Sequence, residues 1–519
     1  MLQHFSRLLF CIIKAKKRCG EMEKNINIEF KEYMLSLSDE QTIMIEDFLE
    51  NIKRRCLVSK VDNYKIKIDF IKALLYYIRE GFRLDHALDL IDPSNLGGFY
   101  ARTSHNWFSL DDAAKIYPMS LEHGNMAIFR LSVYLKTDII PELLQMALTF
   151  TIKRFPTFAT TVKKGIFWHY FDTTKCRFQI HEENTLPIQP IKVSRSGSHS
   201  FRVIYYKNRI SIEFFHILTD GMGGMTFLKA LVREYLRLTG VNIADNGDIW
   251  DINDTPNINE TRNEFDRVEH SENSSGLVNK RSLQMNGKLT KLRPNQILHF
   301  KMDADRLKEV ARKYNITVTA YILTIMFIAI KASMDNLHGD LSIQVPINMR
   351  KFYPSNTIRN FAMYCGINLD IEDITTVSEL SGKINQQLKE KTNKEKMGEM
   401  VTATNKLVRS IKFVPMFIKV PFARRLYGFL GDKAFVTTLS NIGVVNMPNE
   451  YKKYIISFDF ILGISVVNRV ACGLVTFNNV STLSVTKMTK DPTFEEKLYK
   501  LIKSDGIDLT VEGSEANED

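Results

Sequence analysis

From Phe201 to Leu238 the chain reads FRVIYYKNRISIEFFHILTDGMGGMTFLKALVREYLRL: two apolar runs of strand character about a turn near Asn208, a glycine-rich break, and then apolar positions at helical spacing. A hairpin that feeds a helix through so short a break becomes a sheet with that helix laid over it, so the class is mixed α/β. The break carries His216, Asp220 and Gly221 in the order His-x-x-x-Asp-Gly, with Gly223 and Gly224 behind them. With eleven histidines in the chain, roughly 0.03 such triplets are expected by chance, a moderate specificity on spacing alone.

The rest of the chain repeats the alternation. MAIFRLSVYL reads as a strand and PELLQMALTFTIKRF as a helix opening at Pro141. From residue 295 follow a strand (ILHFKMD), a helix (ADRLKEVARKYN), a buried helix within 316–330 and a strand into VPINMR. Four β-like runs (FVTTLSNIG, IISFDFILGIS, GLVTFNN, TLSVTKM) and a last helix (TFEEKLYKLIKSD) complete it. The apolar run 316–330 falls short of the roughly 20 residues of a membrane span. Residues 1–100 hold two helical periods, IMIEDFLENI with Asp39 placed to cap it and FIKALLYYIREGF, closed by Asp92-Pro93 and Gly97-Gly98. Residues 241–275 hold nine acids against two arginines, a composition that does not order itself.

The expected division is a helical extension over 1–100, a first lobe with HILTDG over 101–240, an acidic crossover over 241–294 and a second lobe over 295–519. At about 100–200 residues per domain, 519 residues allow it. A chain starting near Ala101 is expected to fold alone.

Seventy Lys and Arg against 59 Asp and Glu give +11, of which residues 1–20 supply +5. No basic stripe interleaved with aromatics is present, so no nucleic-acid partner is expected. Six cysteines without a C-x-x-C pair argue against a disulfide framework and a zinc site, and fit a reducing, cytoplasmic setting. LLFCII, at 8–13, is too short for a signal sequence. There is no H-E-x-x-H, no clustered His/Cys spacing and no G-x-S-x-G elbow, so neither metal chemistry nor a serine hydrolase is expected.

A neutral imidazole at a strand end takes a proton from an attacking hydroxyl, amine or thiol. The same spacing also suits a satisfied core histidine beside a tight turn. Asp220 either fixes the turn by pairing with an arginine or relays a proton.

On these residues the chain resembles the CoA-dependent acyltransferases of the chloramphenicol acetyltransferase fold, a group that includes peptide-synthetase condensation domains, polyketide-associated acyltransferases and alcohol acetyltransferases. His216, Asp220 and Gly221 match its His-x-x-x-Asp-Gly, and Tyr235 matches the longer form seen in polyketide-associated members. VPINMR, ending at Arg350, looks like the second-half strand with its arginine, and TTLSNIG, 437–443, like the Ser-Asn-x-Gly segment. WFSLDDAAKIYP, 107–118, is similar to the opening of the alcohol-acetyltransferase branch. The coverage is about 107–519. Two departures stand out: Phe215 replaces the first histidine of condensation domains, and the Asp-Phe-Gly-Trp-Gly segment of plant members is absent.

The resemblance implies two α/β lobes with a tunnel between them, acyl donor entering at one face and acceptor at the other. It makes His216 the general base, Asp220 and Gly221 structural, and Arg350 the partner of Asp220. Ser440 and Asn441 become oxyanion or donor contacts, or else an ordinary turn; Tyr235, by its place on the helix after the motif, reads as packing or as part of the motif. Acyl-CoA, in the first place acetyl-CoA, is implied as cosubstrate with no permanently bound cofactor; the acceptor is a small alcohol or amine, and an acyl carrier protein is the alternative donor. The rival from another class is a non-catalytic, condensation-like module of secondary metabolism that binds a carrier protein. Residues 412–430, where Phe, Met, Val and Leu alternate with Lys412, Lys419, Arg424 and Arg425, read either as a weak membrane-surface contact or as a solvated helix face over the core.

Overall fold

The computed structural model describes residues 23–101, 107–112, 114–115, 127–174, 176–191, 199–241, 247, 249–274, 281–291, 294–421, 433–464 and 467–514. The LLFCII run, part of the 107–118 segment, and Arg424 and Arg425 lie outside the described residues.

The hairpin pairs Phe201–Tyr206 with Arg209–Phe215, Tyr206 opposite Arg209, so its turn is Lys207 and Asn208. Lys207 takes the left-handed position at φ +48, and the Asn208 amide braces the turn by donating to the Leu135 carbonyl at 2.6 Å. Strand Ile128–Leu135 pairs antiparallel with Arg209–Phe215, and Ile180–Glu182 lies parallel to Phe201–Tyr206. Helices Pro141–Thr151 and Gly221–Leu238 pack on each other over this sheet, burying Leu144, Phe150, Phe227 and Leu231.

The second lobe is a seven-stranded mixed sheet in the order Ala362–Asp370, Asp340–Asn348, Thr437–Val444, Val470–Phe477, Val480–Lys487, Gln296–Asp303, Leu509–Gly513. Thr437–Val444 runs parallel to both its neighbours and the other pairs are antiparallel. The apolar run read as a buried helix is Val318–Ala332, packed against helices Val377–Lys391 and Thr493–Ser504. A small third sheet, Trp107–Ser109, His169–Thr173 and Thr160–Lys164, stands at the side of the first lobe.

Several features differ from the sequence reading. Ile455–Leu462, counted with the second lobe, is the fifth strand of the first lobe's sheet, paired antiparallel with Ile128–Leu135, and its Phe458 and Phe460 sit in that lobe's core. Ser38, not Asp39, caps helix Asp39–Arg55: its hydroxyl accepts from the Gln41 N–H while the Gln41 side chain accepts from the Ser38 N–H, closing a capping box. The described part of the acidic segment is laid down on the protein, where two of its acids meet cations of the first lobe. Glu260 forms a two-pronged pair with buried Arg154 at 2.6 and 2.8 Å, and Asp251 pairs with Arg233 at 2.7 Å.

The extension shares one core with the first lobe. Phe70, on helix Lys60–Arg79, meets Phe150 edge-on at 5.8 Å; the Tyr77 hydroxyl donates to the Leu238 carbonyl at 2.5 Å; and buried Asp69 holds Arg177 at 2.5 and 2.8 Å. A chain starting at Ala101 is now expected to lose its cooperative melt, because that removal bares the first lobe's helices. Phe70→Ala alone should cost about 3–5 kcal/mol. Denaturant unfolding of both variants checks this, and wild-type midpoints would make the extension a dispensable cover.

Candidate active site

Both faces of strand Arg209–Phe215 are covered, so its end delivers His216 into the seam between the two halves. The His216 N–H donates to the Ala127 carbonyl at 2.7 Å, and Phe129 meets the ring edge-on at 5.2 Å. The ring Nδ1 lies 3.3 Å from the amide nitrogen of Asn360. The same amide nitrogen donates to the His216 carbonyl at 3.3 Å, so Asn360 braces both the ring and its main chain. Desolvation lowers the imidazole's pKa below the ordinary histidine value, against the pull of the Asp220 charge. Burial thus favours the neutral ring, which is oriented and still partly open to solvent.

Asp220 is saturated. It caps helix Gly221–Leu238, Oδ1 accepting from the N–H groups of Met222 and Gly223 at 3.1 and 3.0 Å. Oδ2 accepts from Arg350 at 2.6 Å and from the Phe361 N–H at 2.8 Å. The rest of the guanidinium donates to the carbonyls of Thr357 and Arg359 at 2.7 and 2.9 Å. The pair that the resemblance implies is therefore brought together across the seam. With both carboxylate oxygens doubly engaged, the arrangement suits holding the turn rather than relaying a proton.

Residues 357–361, which the sequence reading passed over, join everything at the site. The Ile358 carbonyl accepts from Thr219 at 2.5 Å, and a Cβ on Gly223 would stand 2.1 Å from that oxygen, so only glycine fits there. Thr357 reaches back to the crossover, donating to the Arg262 carbonyl at 2.9 Å. Buried Arg359 lies 2.9 Å from buried Asp111, whose carboxyl burial pushes upward despite that guanidinium. Nothing local marks Asn360 or Arg359, since His216 and Asp111 lie more than a hundred residues away in sequence, while Asp111 falls in the 107–118 segment without being singled out there.

The remaining candidates are placed as follows. Gly221 lets Ile442 approach, since a Cβ there would stand 2.9 Å from its methyl, and this puts the Ser440–Gly443 bend beside the motif. Asn441 is engaged locally, donating to Thr319 at 3.0 Å and accepting from the Gly443 N–H at 2.8 Å, where the strand's register shifts. Ser440 is buried in the same strand. Tyr235 is buried and its hydroxyl accepts from the Ile140 N–H at 3.0 Å, ahead of helix Pro141–Thr151. Among the described residues no group of three or more His, Cys, Asp or Glu is placed to hold a metal ion.

No family model and no curated protein matches this sequence. Solved structures do match. The trichothecene 15-O-acetyltransferase TRI3 from Fusarium sporotrichioides is 12% identical, with 77% of this chain and 94% of that one covered at a TM-score of 0.53. Polyketide synthase associated protein 5 from Mycobacterium tuberculosis is 11% identical, with 77% and 98% covered and a TM-score of 0.53. TRI101 of F. sporotrichioides, solved with coenzyme A and T-2, is 12% identical, with 77% and 98% covered and a TM-score of 0.52. Mixed sheets in two lobes and these matches give this chain the chloramphenicol acetyltransferase-like two-lobe fold.

Proposed function

We propose that the chain is an acyltransferase that moves an acyl group, acetyl in the first place, from acyl-CoA to the hydroxyl or amine of a small acceptor. The observation that carries this reading is His216: an imidazole whose pKa burial lowers, held at the seam on a turn locked by the Asp220–Arg350 pair. The unprotonated ring nitrogen of His216 takes the acceptor's proton as its oxygen or nitrogen attacks the thioester carbonyl. The tetrahedral adduct then collapses, the proton passes to the departing CoA sulfur, and the acyl acceptor and free CoA leave with no covalent enzyme intermediate. Ser440 is the donor to the oxyanion, a role typically worth about 2.7–4 kcal/mol. Asn441 supports the bend that presents it. The two substrates would approach along the seam from opposite faces.

The base works only when unprotonated. Because burial lowers the His216 pKa, the acidic limb of kcat/KM against pH should lie below about 6.5, the ordinary histidine value. A pH profile with acetyl-CoA and a productive acceptor checks it, and a limb above that value would contradict the assignment.

A further inference from the structure

We propose that the face built from the 165–168 turn and the 411–419 segment docks on the surface of anionic lipid bilayers. Isolated exposed apolar side chains are ordinary, but a contiguous group is not. Here Trp107, Ile166, Phe413 and Phe417 are 68%, 74%, 76% and 75% exposed, with Phe167 and Ile418 also open. Two segments about 250 residues apart are fastened to make this face. The Met416 N–H donates to the Ile166 carbonyl at 2.8 Å, and Phe413 meets Phe167 edge-on at 6.2 Å. Lys419, buried beneath, donates to the Phe167 carbonyl at 2.9 Å with its ammonium 3.4 Å from the centre of the Trp168 ring.

The charge around the face selects the occupant. Exposed Lys164 adjoins the turn, and exposed Arg409 and Lys412 border a cavity of about 700 Å³ that opens beside Trp107, Ile166 and Phe167, with Asp266 and Asp112 as its acids. Asp112 is paired with Lys115. Aromatic side chains standing out among lysine and arginine match an interface where apolar depth lies directly under negative headgroups, the rings entering the headgroup level and the cations meeting phosphate. Among the described residues no single helix is long and apolar enough to cross a membrane, and the contact proposed is a surface one. It stands independently of acyl transfer.

The test is flotation of the full chain with vesicles of phosphatidylcholine alone and of phosphatidylcholine mixed with phosphatidylglycerol, at low and high salt. The chain should float with the mixed vesicles, release at high salt, and shift its tryptophan emission to the blue, a shift that Trp107→Phe diminishes. Phe413→Asp with Phe417→Asp should lower the bound fraction about tenfold while melting like wild type, since both side chains are exposed. Should that variant melt early, Arg409→Glu with Lys412→Glu carries the same test through charge. The proposal is overturned by three results: no flotation on mixed vesicles, flotation that neither pair of substitutions reduces, or a dimer seen by light scattering that the Phe pair breaks while no lipid is bound.

Discussion

Replacing Asp220 with alanine is expected to lower the unfolding free energy by about 3–5 kcal/mol, the usual cost of breaking a buried ion pair from one side. The change strands the Arg350 guanidinium, which stays pinned by the Thr357 and Arg359 carbonyls and cannot swing to water. It also orphans three main-chain N–H groups, those of Met222 and Gly223 at the helix start and that of Phe361. At about 2–4 °C per kcal/mol for a lobe of this size, melting should fall by about 6–20 °C. Adding Arg350→Ala should return only part of that, because the stranded charge goes but the uncapped helix remains. Calorimetry of the single and double variants decides it. A wild-type melt for Asp220→Ala with vanished turnover would move Asp220 from holding the turn into the chemistry.

His216→Ala should show the reverse signature. It removes the proton acceptor, and general-base catalysis is worth roughly 10²–10⁴-fold, so turnover should collapse by that factor. Its structural cost is small: an edge contact with Phe129 and side-chain contacts with Asn360, together about 1 kcal/mol. The Asp220 variant is therefore expected to be unstable and inactive in proportion to its unfolded fraction, and the His216 variant stable and silent. Melting curves alongside steady-state rates separate the two, and an Asn360→Ala variant with intermediate rates would support its place as a positioning residue.

What was legible in the sequence is what is local. The hairpin, the glycine break and the helix after it follow from periodicity within 38 residues, and strand Ile128–Leu135, helix Pro141–Thr151 and the buried helix Val318–Ala332 lie where their apolar patterns put them. The lending of Ile455–Leu462 to the first sheet was not legible, since an alternating strand fits the edge of either lobe and only long-range register decides. The extension's place in the core was hidden for a related reason: an amphipathic helix announces a buried face but not what covers it. Compositional reading failed at the acidic crossover because Arg154 and Arg233, which order it, stand outside the window. At the site, His216, Asp220, Gly221 and Arg350 were readable through a motif and a resemblance. Asn360 and Arg359 were not, and of Asp111 only its segment was, their roles being set by partners the fold alone brings near.

The most direct measurement is release of free thiol from acetyl-CoA, and from longer acyl-CoA donors, by the full chain with a panel of alcohols and amines, set beside His216→Ala at the same folded fraction. The account predicts release that depends on the acceptor and falls at least about a hundredfold in the variant. Equal release by the two proteins, or none by wild type with any donor and acceptor, would contradict acyl transfer by His216 and favour a module that binds a carrier protein without catalysis.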